Sequence, residues 1–104
     1  MSKKGYWIVR VDVKDPEGYK KYLAANPAAF KKYGAHFLVR GGPFDAVAGT
    51  ARERNVVIEF KDIETARACY ASPEYKHAIA ERGDSAVIDV VIIEGYDGPQ
   101  PKDG

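Results

Sequence analysis

The chain has 104 residues, 45% of them hydrophobic and 30% charged, a composition typical of one globular domain. Its formal net charge of +1 gives no general attraction to nucleic acid or to an anionic membrane, so neither is expected as a partner. The single cysteine, Cys69, excludes a disulfide framework within the chain. No apolar run is long enough for a membrane span or a signal peptide, and we therefore expect a cytoplasmic protein.

The first part of the chain is predicted to form a strand and a divided helix. Alternating apolar residues predict a strand at 6–13. A helix should begin at Asp15-Pro16-Glu17, where an acid suited to the N-cap precedes a proline at the first helical position. Because Pro27 disfavours helical geometry in the residue before it, we expect a kink or two consecutive short helices, with Gly34 as the C-terminal cap.

The rest of the chain is predicted to form two strands, a second helical region and a last strand. The two strands lie at 35–40 and 55–60, with a long loop between them. The helical region should begin at Asp62 and restart at Ser72, whose hydroxyl suits an N-cap. The last strand is predicted at 87–94.

This order of elements predicts a ferredoxin-like α+β fold, with a four-stranded antiparallel sheet and both helical regions on one face. We assign one domain to 1–96 and a flexible C-terminal tail, rich in glycine, proline and charge, to 97–104. The other face of the sheet carries too many apolar side chains for exposure to water. A second copy of the chain should cover that face, which predicts a homodimer in the form of a dimeric α/β barrel.

Side chains alternate between the two faces of a strand, which divides the predicted strands into an apolar set and a mixed set. The apolar set, which includes Phe37 and Val39, should face the helices. Charges among aliphatic side chains are costly unless they are paired or used, so the predicted site lies on the face of the mixed set. The mixed set comprises Ile8, Arg10, Asp12, His36, Leu38, Arg40, Val57, Glu59, Val87, Asp89, Val91 and Ile93.

Arg40 is the first candidate for a binding residue. Its guanidinium group suits a carboxylate or a phosphate, and Gly41 and Gly42 follow it, where a ligand could approach the backbone closely. Glu59 and Asp89 belong to the same mixed set and are candidates for orienting the ligand or Arg40 itself. The alternative is a structural ion pair of Arg40 with Asp89 or Glu59 inside the barrel.

Three further residues and Asp89 are candidates for the chemistry of the site. His36 is a candidate general base, since imidazole titrates near neutral pH, and Asp89 could accept a proton in a buried setting. Tyr22 and Tyr75 could direct their hydroxyls into a cleft between the helices and the sheet. The structural alternatives are a hydrogen-bonded sheet histidine, a plain charge partner and two core tyrosines. The spacing of the two histidines suggests no metal site, and we expect no cofactor.

Three segments together resemble one known family. They are the segment 33–42, which ends in Arg40-Gly41-Gly42, then Val57-Ile58-Glu59-Phe60, and then Ser72-Pro73-Glu74-Tyr75. Over residues 6–95 the chain resembles the domain-of-unknown-function 1330 family. The resemblance implies the dimeric α/β-barrel superfamily, which includes cofactor-free monooxygenases, muconolactone isomerases and haem enzymes.

By this resemblance, the recurrent positions of the family fall on a set of polar, aromatic and glycine residues. The chain departs from the family pattern at Ala35 and His36, where a glycine followed by a basic residue is expected. The recurrent positions are Tyr22, Gly34, Arg40, Gly41, Gly42, Gly49, Arg54, Glu59, Phe60, Ser72, Tyr75, Arg82 and Asp89.

Two functions are compatible with these features. In the first, a cleft in each subunit of a homodimer binds or transforms a small acidic or carbonyl-bearing metabolite. Arg40 would anchor the anion, Asp89 and Glu59 would orient it, and His36 or Tyr22 would transfer a proton; the resemblance implies cofactor-free oxidation or isomerisation if the chain is an enzyme. In the second, the chain is a non-enzymatic dimerisation or binding module whose barrel charges are structural.

Overall fold

A computed structural model describes residues 3–103 of the chain. The elements are β1 (Gly5–Val13), α1 (Pro16–Ala25), α2 (Pro27–Lys32), β2 (His36–Arg40), β3 (Arg54–Phe60), α3 (Ile63–Ala71), α4 (Pro73–Arg82) and β4 (Ala86–Glu94). Pro101–Asp103 form a short 3₁₀ helix in the predicted tail, whose flexibility stays a prediction, as does the assignment of 1–96 to one domain. Met1 and Ser2 of that domain and Gly104 of the tail lie outside the described residues.

The predicted division of both helical regions is confirmed. Since Pro27 cannot donate a backbone hydrogen bond, α1 ends at Ala25 and α2 begins at Pro27. The hydroxyl of Ser72 accepts from the Tyr75 amide at 3.1 Å and donates to the Cys69 carbonyl at 2.7 Å, which confirms Ser72 as an N-cap. None of the helices within residues 3–103 is both long and apolar enough to span a membrane. The cytoplasmic location stays a prediction.

The four strands form one sheet in the order β2-β3-β1-β4, and every neighbouring pair is antiparallel. Trp7 and Val11 of β1 and Ile58 and Phe60 of β3 are buried on the face that the helices cover. The two halves of the chain interleave, because β3 lies between β1 and β2, the strands that α1 and α2 connect. This is the ferredoxin-like α+β arrangement, and that prediction is confirmed.

Trp7 stands at the centre of the core between the sheet and the helices. Its side chain is 1% exposed, and its indole Nε1 donates to the Ala66 carbonyl of α3 at 2.9 Å. Such burial with a satisfied N–H is the arrangement that a core tryptophan requires. Four aromatic rings lie with their centroids 5.0 to 5.5 Å from the Trp7 ring, those of Phe30, Phe60, Tyr70 and Tyr75.

A β-bulge in β2 changes the face that Arg40 occupies. Phe37 pairs with Ile58 and Arg40 pairs with Val56, so Leu38 is an extra residue between these two pairs. The extra residue interrupts the alternation of side chains. Arg40 therefore shares the helix-covered face with Phe37, and its predicted placement with the mixed set is wrong. The predicted proximity of Arg40 to other charges of that set fails for the same reason.

The face of the sheet turned away from the helices, which we call the open face, is covered by none of the described helices, although the end of the segment between β2 and β3 reaches it at Asp12 and Asp89. Val39 lies on the open face, not among the helix-facing residues as predicted, because the bulge shifts it as well. The aliphatic side chains of the open face form an apolar surface of the kind that usually marks an interface. Six of them, each 41–53% exposed, are Ile8, Leu38, Val39, Val87, Val91 and Ile93.

The molecule is thin and extended for its length. Its extents are 49 × 34 × 16 Å and its radius of gyration is 15.0 Å. A compact domain of this length has a radius of gyration of about 13 Å. The loop 41–53 contributes to the difference, since nearly all of it is exposed and Val47 is 91% exposed. One layer of helices on one sheet leaves the second face without a covering layer.

Gly5→Ala is expected to lower the free energy of unfolding by about 1–3 kcal/mol. A Cβ at Gly5 would lie 2.6 Å from the Cα of Ile63 and close to the carbonyl of Asp62, so β1 and the start of α3 would have to separate. Denaturant unfolding at a fixed protein concentration measures the change. Gly42→Ala is the matched control, because a Cβ there has no neighbour within 4 Å. Equal unfolding midpoints for the two variants would contradict the close contact at Gly5.

Candidate functional site

A cavity of about 80 Å³ lies between α1, α2 and the sheet. Since a buried water needs about 10–15 Å³, this cavity has room for several waters or for a small organic molecule. Its walls are mostly apolar, which suits a ligand with a hydrocarbon body. The apolar wall includes Trp7, Val9, Phe30, Phe37, Ile58 and Ile88.

Two arginines line this cavity on its exposed side. The Arg40 guanidinium carbon lies 4.3 Å from the centre of the Phe37 ring, and that of Arg54 lies 5.6 Å from the centre of the Tyr19 ring. Within residues 3–103 neither arginine forms an ion pair, and no carboxylate side chain lines the cavity. The cavity therefore carries two guanidinium groups that no acidic residue of the described chain neutralises.

Tyr22 and Tyr75 are brought together in the core, as a hydroxyl pair. Their hydroxyl oxygens lie 2.5 Å apart and are buried. Burial raises the pKa of Tyr22, and the hydrogen bond with Tyr75 opposes that rise. The pKa of Tyr75 is raised as well, by burial and then by the neighbouring Tyr22. Tyr22 lines the cavity, whereas Tyr75 lies behind it, so only Tyr22 can reach a ligand there.

Arg82 lies on the outer side of the Tyr22 ring. Its guanidinium carbon is 5.3 Å from the centre of that ring, a cation–π distance. Its Nε is buried and has no hydrogen-bond partner among residues 3–103. The Arg82 charge opposes the burial-driven rise in the pKa of Tyr22. Arg82 does not line the cavity, but its guanidinium lies against Tyr22, which does.

The two glycines after Arg40 occupy different positions. Gly41 lines the cavity and adopts φ +68°, a left-handed conformation that favours glycine. Its amide donates to the Asn55 carbonyl at 3.0 Å and is therefore not free for a ligand. Gly42 does not line the cavity. A close backbone approach to a ligand is thus supported for Gly41 alone.

Asp89 lies on the open face and pairs with a different arginine from the predicted one. The Arg52 guanidinium donates to Asp89 at 2.8 Å and to Asp12 at 2.7 Å. The Glu53 amide and then Arg52 lower the pKa of Asp12. This cluster ties the end of the loop 41–53 to β1 and β4. The predicted pairing of Asp89 with Arg40 is wrong, because the bulge puts Arg40 on the other face.

His36 and Glu59 also lie on the open face, where they are in register with each other. Glu59 accepts a hydrogen bond from the Tyr6 hydroxyl at 3.2 Å. His36 is exposed and lies on the opposite side of the sheet from the cavity. The structure therefore brings Arg40 and Tyr22 into one cavity and leaves His36, Glu59 and Asp89 outside it.

The match to a known family covers most of the chain. The family described as "Domain of unknown function (DUF1330)" matches residues 4–96. The chain belongs to this family. The predicted resemblance is thus confirmed. No curated protein matches this DUF1330 chain.

Solved structures share the fold of this DUF1330 protein at low sequence identity. A protein of unknown function from Rhodopseudomonas palustris has a TM-score of 0.72 at 14% identity, over 94% of this chain and 86% of that one. SnoaB, a cofactor-independent oxygenase from Streptomyces nogalater, has a TM-score of 0.60 at 13% identity, over 96% and 99%. A dimeric ferredoxin-like protein of unknown function from Thermobifida fusca has a TM-score of 0.54 at 15% identity, over 90% and 92%. At these identities the likeness shows the fold alone.

Two polar residues of the cavity in this DUF1330 protein were not among the predicted site residues, although the sequence carries a signal for both. Arg54 is two positions before Val56 on β3, so strict alternation places it on the helix-covered face. Asn26 falls within the apolar helical stripe before Pro27 and is buried at the cavity wall. A polar residue at an apolar position is the signal that identifies such a site.

Proposed function

We propose that the chain binds a small organic acid in the cavity between α1, α2 and the sheet. The observation that carries this proposal is the pair Arg40 and Arg54, two arginines that pair with no acidic side chain of residues 3–103 and lie beside an aromatic-lined cavity. A carboxylate would accept charge-assisted hydrogen bonds from one or both guanidinium groups. The hydrocarbon part of the ligand would displace water from the apolar wall.

The roles proposed for the other candidate residues follow from their positions. Tyr22 is the one candidate for proton transfer that lies in the cavity with Arg40. We therefore propose Tyr22, and not His36 or Asp89, as the residue that exchanges a hydrogen bond or a proton with the ligand. Tyr75 would support Tyr22 through the hydroxyl pair. A cofactor-free oxygenase-like or isomerase-like reaction remains an expectation from the family resemblance.

We further propose that the functional form is a homodimer formed through the open face. A second copy is the occupant that the apolar open face fits, because a symmetric pair would bury the same aliphatic patch on both subunits. The extended radius of gyration and the exposed loop around Val47 agree with a subunit that lacks its partner. The ferredoxin-like protein from Thermobifida fusca, which shares the fold, is described as dimeric.

The contacts of the charged residues on the open face favour a structural role for them over a role in ligand binding. Arg52 forms an ion pair with each of Asp12 and Asp89, and Tyr6 donates a hydrogen bond to Glu59. Charges that are paired or hydrogen-bonded in this way can be enclosed between two sheets at a smaller cost than isolated ones. We therefore assign the open face to association and the helix-covered cavity to the ligand.

A titration with pentanoate tests the ligand proposal. Trp7, the only tryptophan, lines the cavity, so binding is expected to change its fluorescence. Pentanamide, which has the same size and no charge, is expected to bind at least about tenfold more weakly, since only the acid can pair with Arg40 and Arg54. Pentylamine is the control of opposite charge and is expected to give no saturable signal. Equal affinities for the acid and the amide would overturn the proposal.

A further inference from the structure

We infer that the cavity selects an oxo acid, in which the carboxylate contacts the arginines and a second, uncharged carbonyl oxygen accepts a hydrogen bond from Tyr22. This inference rests on the proposed function, because it assumes that Arg40 and Arg54 hold a carboxylate. It adds a second recognition point inside the cavity. The argument for that point comes from the hydrogen-bond capacity of two buried hydroxyls.

The hydroxyl pair has one more proton than the pair itself can use. Two phenol groups carry two O–H donors, and the 2.5 Å contact between Tyr22 and Tyr75 uses one of them. Buried donors are nearly always satisfied. The direction of this bond therefore decides which tyrosine has a free proton and where that proton points.

The surroundings of Tyr75 decide the direction of the bond. Its ring is packed against Trp7 at 5.0 Å and Tyr70 at 5.2 Å, and its hydroxyl has no other hydrogen-bond partner among residues 3–103. If Tyr22 donated to Tyr75, the Tyr75 proton would have no acceptor. If Tyr75 donates to Tyr22, the Tyr22 proton is left for an acceptor in the cavity that Tyr22 lines, either the neighbouring Asn26 side chain or a ligand. The second arrangement satisfies both protons.

The setting of Tyr22 suits an uncharged acceptor. Tyr22 is 5% exposed, whereas Arg40 and Arg54 are exposed, so the hydroxyl lies deeper than the guanidinium groups. Apolar residues such as Val9 and Ile58 line the same cavity. A carboxylate placed at the inner end would lose its hydration, while a ketone oxygen loses less. The ligand that satisfies both ends is an acid with an internal carbonyl.

The test compares pentanoate with 2-oxopentanoate and 4-oxopentanoate by Trp7 fluorescence. At least one oxo acid is expected to bind about three- to tenfold more tightly than pentanoate, the gain of one neutral hydrogen bond. Tyr22→Phe should remove this gain, so that the ratio between the affinities for the oxo acid and for pentanoate falls to about one. Tyr33→Phe, which removes a hydroxyl outside the cavity, is the matched control and should keep the gain.

The outcomes separate this inference from the proposed function. Binding of pentanoate without a gain for either oxo acid, or a gain that survives in Tyr22→Phe, would overturn the inference and leave the proposed function intact. No binding of any of the three acids would overturn both. A second measurement does not depend on a variant: the ¹³C resonance of the labelled ketone in a bound oxo acid should lie downfield of its resonance in an aprotic solvent. A bound resonance equal to the aprotic value would also overturn the inference.

Discussion

Replacing Arg40 by methionine is expected to weaken the binding of pentanoate by about ten- to a hundredfold. The variant loses charge-assisted hydrogen bonds worth about 1.5–3 kcal/mol, and each 1.4 kcal/mol is a factor of about ten in affinity. Methionine keeps an unbranched side chain of similar length against Phe37. Fluorescence titration of Trp7 measures the change, and the affinity for pentanamide should be almost unaltered.

Arg67→Met is the matched control, because Arg67 is exposed on α3 and does not line the cavity. Its affinity for pentanoate should equal that of the wild type. Arg40→Met should also unfold at nearly the wild-type denaturant midpoint, with a loss below about 1 kcal/mol, since Arg40 has no ion pair among residues 3–103. A stability loss of about 3–5 kcal/mol would instead show that Arg40 is one partner of a buried charge pair.

Replacing Val91 by lysine is expected to convert the proposed dimer into a monomer. Val91 lies on the open face in register with Ile8, and it is 53% exposed in the isolated chain. In a symmetric dimer the variant brings one unpaired ammonium group from each subunit into the interface. Because burying an unpaired charge costs several kcal/mol, the dissociation constant should rise by at least about a hundredfold. Sedimentation velocity at matched concentrations measures the change.

Ala80→Lys makes the same change in charge on the exposed surface of α4 and should leave the dimer intact. Both variants should keep the far-ultraviolet circular dichroism of the wild type, because neither position belongs to the buried core. A wild-type protein that sediments as a monomer would reject the proposed interface. A dimeric Val91→Lys variant would show that the subunits meet through another surface.

The sequence predicts the elements of this fold well because their signals are local. Alternating apolar residues define each strand, and Pro16, Pro27 and Pro73 stand at the starts of helices where the structure has them. The order of the elements then leaves few possible topologies. Tyr22 lies between the helices and the sheet for the same reason, since its position on the apolar stripe of α1 requires it to face inward.

The position of Arg40 could not be predicted in this way. The residues around the bulge are Phe37, Leu38 and Val39, all apolar, so an extra residue among them leaves no mark in the hydrophobic pattern. Only the register in which β2 pairs with β3 shows the bulge. The contacts of Arg52 could not be predicted either. The irregular loop 41–53 brings Arg52 to Asp12 and Asp89, and no periodic pattern in the sequence indicates the course of that loop.

The extra residue at Leu38 also affects the edge of the sheet. β2 is an edge strand, with β3 on one side and an unpaired row of amides and carbonyls on the other. Such a row can recruit a strand from another molecule and begin aggregation, and a bulge disrupts the regular spacing that recruitment requires. Deleting Leu38 would leave Arg40 on the face of Phe37, because the two residues would then be two positions apart on β2. It would also give the chain a straighter edge, so the extra residue is expected to protect the protein from edge-to-edge assembly.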